Sequence, residues 1–135
     1  MRTYLTLFFI ALPIALALDA SWIGVIAAGF YHTMFGSFFT TTPNLLAAGL
    51  FYVSYTFAII YFSLIPALKS RSLATAITSG AVLGFTAYMT YDLTNLALLS
   101  GWPVFGAFVD IAWGTLFTML VAGLTYVIAT KIFKL

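Results

Sequence analysis

Residues 73–99 read LATAITSGAVLGFTAYMTYDLTNLALL. The stretch has no Lys, Arg or Glu and a single acid, Asp92. A helix rises ~1.5 Å per residue, so this run is long enough to cross a hydrocarbon core of ~30 Å. Within it Gly80, Gly84, Tyr88, Asp92 and Asn95 recur at spacings of four and three, which places them on one helical face. Small residues mark the contact faces of membrane helices. Asp92 shares that face and is expected to point into a helix bundle. A carboxylate at the centre of a membrane helix costs roughly 2.5–3.5 kcal/mol on insertion scales.

Three further segments have the length and apolarity of spanning helices, about 4–30, 44–67 and 103–130. Tyr31 to Pro43 reads as a loop, Lys69-Ser70-Arg71-Ser72 as a tight polar turn, and Ser100-Gly101-Trp102-Pro103 as a short turn with Pro103 suited to a helix first turn. The expected fold is all-α: a four-helix transmembrane bundle with short loops, residues 1–135 forming one transmembrane domain. Arg2, the pair Lys69 and Arg71, and the pair Lys131 and Lys134 alternate with connections that lack Lys and Arg. The positive-inside rule then predicts cytoplasmic termini for a multi-pass membrane protein.

Composition agrees. Of 135 residues, 64% are hydrophobic and only 6% charged, too few for a water-soluble exterior. The net charge of +2 is spread over three membrane edges and forms no nucleic-acid patch. With no cysteine and a single histidine, His32, neither a thiolate site nor a multi-histidine metal site is available within one chain. No cofactor motif is present. A signal peptide is the competing reading of the N-terminus, since an apolar run after Arg2 leads to Leu18-Asp19-Ala20-Ser21. The apolar pattern continues through Ile23, Val25 and Ile26, and an acid at the cleavage region is awkward, so a spanning helix is preferred.

All three acids, Asp19, Asp92 and Asp110, lie inside these apolar segments. Counted from the helix starts, all three fall in the outer half of the membrane, with Asn44, Asn95, Trp22, Tyr91 and Trp113 at similar depths. In the fourth segment Gly106, Asp110, Gly114 and Thr118 recur every four residues. An echo joins the outer helices: Asp19-Ala20-Ser21-Trp22 and Asp110-Ile111-Ala112-Trp113 are both Asp-x-x-Trp. They run in opposite directions, as in an inverted repeat. If the two helices are adjacent, Asp19 and Asp110 are candidate partners, and one of them would hold its proton. No basic residue lies at that depth, so protons, cations or water must compensate the acids.

These residues resemble a family of small bacterial membrane proteins, DUF2177. The matching stretches are Asp19-x-x-Trp22-Ile23-Gly24, Phe30-Tyr31, Asn44 with Phe51-Tyr52 and Tyr55, and Pro66-Ala67-Leu68. The densest is Thr90-Tyr91-Asp92-Leu93-Thr94-Asn95, followed by Trp102-Pro103, Asp110 and Trp113-Gly114. The resemblance implies a multi-pass membrane protein and brings no activity, ligand or mechanism with it.

The residues themselves admit three functions. The first is binding or translocation of a small solute, cation or proton at an outward acidic pocket. There Asp19, Asp92 and Asp110 carry the charge, Asn44, Asn95 and Tyr91 orient the ligand, and Trp22 and Trp113 line it. The second is an intramembrane enzyme acting on a lipid or isoprenoid by carboxylate acid–base chemistry. The third is an accessory subunit in which the polar layer only fixes helix register. Three carboxylates suit hard cations, but no spacing motif supports a dedicated metal site. Pro13 is a candidate kink. Trp102, Tyr31 and the phenylalanines of 30–39 fit an interfacial aromatic belt. Expected partners are membrane lipids and a second copy of the chain, through its glycine-rich faces.

Overall fold

Four helical stretches, Arg2–Ile26, Leu45–Ser70, Leu73–Leu98 and Val104–Lys131, have the length and hydropathy to cross a membrane. They come from a computed structural model that describes residues 1–135. There are no strands. The first span comprises α1 (Arg2–Ser21) and a π turn (Trp22–Ile26), and is followed by α2 (Ala28–Phe35). The second comprises α3 (Leu45–Ile59), a π turn (Ile60–Leu64) and α4 (Ile65–Ser70). The third is α5 (Leu73–Leu98) and the fourth α6 (Val104–Lys131). Both termini and the 70–72 turn lie at one end, here the proximal end. The 36–44 and 99–103 connections lie at the other, the distal end.

Two π turns interrupt the spans, and each has a local cause. Pro66 has no N–H for the carbonyl of Phe62, and its ring crowds that carbonyl, so the chain widens over Ile60–Leu64 before α4 begins. In the first span the Ala27 N–H bonds to the Trp22 carbonyl at 2.7 Å, across the flexible Gly24. Pro13 does not break α1, which continues past it to Ser21.

The helix after the first span is longer than its sequence indicates. The Thr-, Phe- and Gly-rich stretch from Tyr31 reads as a loop, yet α2 carries Tyr31 and His32 and runs on to Phe35. Ala27, Tyr31 and Phe35, each four residues apart, are buried together against Trp22 and Trp102. That packing overrides the weak helix propensity of the segment. The extended connection is correspondingly shorter.

α6 is the centre of the bundle. In its apolar window 44% of residues are buried, against 17–22% in the other three spans. It packs along α5, against α1, and against the second π turn. The α5–α6 contact is close because glycines line it. A Cβ on Gly80 would sit 2.9 Å from Ala122 Cβ, and one on Gly84 would strike the Gly114 carbonyl and the Thr118 hydroxyl. The proximal half is an apolar core of Leu7, Ala11, Ile60, Leu64, Val121 and Ala129. α3 leans on α1, while its π-turn continuation reaches α5 and α6. Leu45, Leu46, Val25 and Phe105 are among the exposed apolar side chains, as expected where lipid is the solvent.

Candidate functional site: an acid and aromatic network

The distal half of the bundle gathers the three acids, and each is held by aromatic donors. Asp19 comes from α1 and is buried. Its Oδ2 accepts a hydrogen bond from the Tyr52 hydroxyl at 2.6 Å, and its Oδ1 accepts one from Trp113 Nε1 at 3.3 Å. Tyr52 belongs to α3 and Trp113 to α6, so this one carboxyl joins three spans.

Asp110, near the distal end of α6, accepts a hydrogen bond from the hydroxyl of Tyr31 on α2. The same hydroxyl accepts from Trp22 Nε1 at 3.3 Å. Burial, and then the hydrogen bond and charge of Asp110, push the Tyr31 phenol above its ordinary range. Tyr31 therefore stays a neutral donor. Its place depends on Phe35, which stacks on it at 5.7 Å and fits over Gly106.

Asp92 is wholly buried on α5. Trp102 Nε1 donates to its Oδ1 at 3.3 Å. Gly101 supplies the positive φ, 82°, of the turn that folds Trp102 back over α5. Phe35 and Phe38 flank the Trp102 ring at 5.1 and 4.9 Å. Asp92 Oδ2 receives no N–H or O–H donor. The carboxyl groups of Asp92 and Asp110 lie side by side. An ionised carboxyl only accepts, so two carboxyls bond to each other only when one carries a proton.

The network is continuous. Trp22 and Trp113 stack with centroids 4.4 Å apart and planes inclined by 8°. This stack joins the Asp19 cluster to the Tyr31–Asp110–Asp92 cluster. Tyr88 lies between them, within electrostatic reach of both Asp19 and Asp110. Its ring occupies the space that a Cβ on Gly114 would need. Below it Tyr55 hydrogen-bonds Thr118 at 2.8 Å. The donors to the three acids are phenols and indoles, with no Lys or Arg among them.

The remaining candidates sit at the rim. Tyr91 is exposed and meets Trp102 edge-on at 5.9 Å, with Asn95 four residues further along α5. Asn44 stands apart from the acids: it is exposed and caps α3, its side chain accepting from the Ala47 N–H at 3.0 Å. Asp19 and Asp110 are bridged through the tryptophan stack, and the acid beside Asp110 is Asp92. No cluster of three metal-ligating side chains is present. Two surface hollows lie elsewhere, one among Arg2, Phe9 and Phe133 and one between Phe62 and Val82.

The sequence alone places Tyr31 and Trp102 in an aromatic belt, Tyr88 on the glycine-lined face of the third span and Tyr52 among the residues of the family resemblance, and gives none of them a site role. The signal for them was chemical. Three intramembrane acids with no cation at their depth need neutral donors, and buried Tyr and Trp each bring one polar group that needs a partner.

The family model described as Predicted membrane protein (DUF2177) matches residues 4–127. No curated protein and no solved structure matches the chain. With nearly the whole length matched and four apolar spans, the chain is a multi-pass membrane protein and belongs to the DUF2177 family.

Proposed function

We propose that this protein binds and releases protons inside the membrane, at the Asp92–Asp110 carboxyl pair, as the proton-handling element of a transport function. One observation carries the reading: the two carboxyls adjoin, and the groups that donate hydrogen bonds to them are neutral. Two adjacent carboxyls in low dielectric share a proton, and the pair gains or loses it as a unit. Tyr31 and Trp102 hold the pair in place without neutralising it. Asp19, at the far side of the tryptophan stack, is a single carboxyl fixed by Tyr52 and Trp113. In this reading the chain sits in the bacterial cytoplasmic membrane with both termini inside, supported by Arg2, Lys69, Arg71, Lys131 and Lys134 at the proximal end.

The enzyme and accessory-subunit readings have less support. An enzyme needs room for a lipid beside its acids, and the acids are instead packed against the rings of Tyr31, Tyr52, Trp102 and Trp113. A purely structural layer has no use for adjoining carboxyls, because interhelical hydrogen bonds of ~0.6 kcal/mol are available from amides and hydroxyls. The test is infrared spectroscopy of the purified protein across a pH titration. The expected result is a protonated-carboxyl C=O band at neutral pH that disappears in both Asp92→Asn and Asp110→Asn. A wild-type spectrum without that band sinks the reading.

A further inference from the structure

Ser63 and Thr125 are wholly buried in the proximal half, and no protein group reaches Ser63 Oγ or Thr125 Oγ1. A helical Ser or Thr commonly satisfies its hydroxyl on the carbonyl four residues back. Ten other hydroxyls of this chain do so, while Ser63 and Thr125 are the buried hydroxyls left without any partner. Ser63 lies in the π turn Ile60–Leu64, and that turn packs against α6, which carries Thr125. The two lie at matching depth, Ser63 seven residues short of Ser70 and Thr125 six short of Lys131. A hydroxyl left unbonded in hydrocarbon is costly. A buried water typically makes about three hydrogen bonds to such groups, and π turns often occur at functional sites.

Thr125 also continues a polar line. Thr118 is wholly buried on the same face of α6, two turns nearer the distal end, roughly 10 Å away. Thr118 hydrogen-bonds Tyr55 at 2.8 Å. The Tyr55 ring meets Tyr88 edge-on at 6.5 Å, and Tyr88 lies within electrostatic reach of Asp19 and Asp110.

We propose that Ser63 and Thr125 hold internal water and form the proximal step of a proton path running from the Asp92–Asp110 pair through Tyr88, Tyr55 and Thr118. The inference rests on the proton-binding reading and adds a route to it. Each oxygen along the route takes up one proton as it releases another. One proton crosses, and no group is consumed.

The test uses the full-length protein in vesicles of phosphatidylethanolamine and phosphatidylglycerol that enclose a pH-sensitive dye. A potassium diffusion potential set by valinomycin drives proton entry. Ser63→Ala with Thr125→Val removes only atoms that lack partners, so folding is preserved; thermal unfolding of the same samples verifies it. This double variant is expected to slow proton entry by roughly a hundredfold, the lower end of what a positioned proton-transfer group contributes. Thr125→Ser, which keeps the hydroxyl, is expected to retain the wild-type rate. So is Thr78→Ala, whose exposed hydroxyl bonds only the Ala74 carbonyl of its own helix and the adjacent Thr75 carbonyl. A double variant at the wild-type rate, with Asp92→Asn blocked, overturns the path and leaves the proton-binding pair standing. Equal losses in Thr125→Ser and Thr125→Val assign the effect to packing and also overturn it. Wild-type vesicles no faster than protein-free ones overturn it too, while the carboxyl band judges the Asp92–Asp110 pair separately.

Discussion

Trp22 and Trp113 lie face to face, 4.4 Å between centroids and 8° between planes, and each belongs to a hydrogen-bond chain that ends on the other helix's acid. Trp113 donates directly to Asp19. Trp22 donates to the Tyr31 hydroxyl, which donates to Asp110. The two Asp-x-x-Trp sequences thus exchange partners across an antiparallel pair of helices. The exchange is direct in one direction and relayed by a phenol in the other. Because Tyr31 is the extra link, the two halves of the exchange are not equivalent.

The asymmetry predicts unequal costs for two similar substitutions. Trp113→Phe removes a buried donor and leaves Asp19 with Tyr52 alone. It is expected to destabilise the protein by about 1–3 kcal/mol, the cost of leaving a buried polar group short of a partner. Trp22→Phe removes a bond of the same 3.3 Å length, but to a phenol rather than a carboxyl and from a half-buried position, and should cost less. Thermal unfolding in detergent micelles ranks the two, and the reverse order contradicts the assignment.

Removing single hydroxyls reports where the charge resides. A hydrogen bond to an ionised group contributes about 1.5–3 kcal/mol, whereas interhelical bonds in membranes average about 0.6 kcal/mol. Tyr52→Phe takes a 2.6 Å donor from buried Asp19 and is expected to cost about 1–3 kcal/mol, the penalty for leaving a buried polar group short of a partner. Tyr31→Phe takes a donor from Asp110. If the proton of the pair resides mainly on Asp110, the cost falls near the lower figure; if on Asp92, near the higher. Unfolding free energies of the two variants in one detergent make the comparison.

Glycines at the α5–α6 contact are expected to resist enlargement. Gly114→Ala places a methyl group inside the Tyr88 ring, and Gly84→Ala drives one into the Gly114 carbonyl. Each should cost about 1–3 kcal/mol, the usual penalty for overpacking. Gly24, with nothing within 4 Å of an added Cβ, should tolerate alanine without loss. Melting temperatures of the three variants test the contrast, and a tolerant Gly114 would contradict the packing described.

Asn44 is expected to act through the helix it begins. Asn44→Ala removes the cap on the Ala47 N–H and should cost about 1 kcal/mol. Asn44→Asp keeps the cap and should restore stability. The infrared carboxyl band of the acid pair should be unchanged in the alanine variant, since the residue does not touch the pair. A shifted band would place Asn44 within the network.

By itself the sequence determined the class and the layering of this protein. An uninterrupted apolar run such as 73–99 leaves the backbone no partner but itself in hydrocarbon, so helix follows from composition alone. The four-residue spacing of Gly80, Gly84, Tyr88 and Asp92 fixed which face of α5 meets α6, because the helical period is local. Counting residues also put the three acids in one half of the membrane. Tertiary structure decided the pairing. That Asp110 lies beside Asp92, that Asp19 is held by Tyr52 and Trp113, and that Tyr31 sits on a helix under Phe35 all depend on how the spans rotate and cross. Rotation is set by glycine contacts and ring stacking between residues far apart in the chain, such as Gly114 with Tyr88 and Trp22 with Trp113. Local periodicity shows which face a residue occupies, but its partner depends on the face that the neighbouring helix presents.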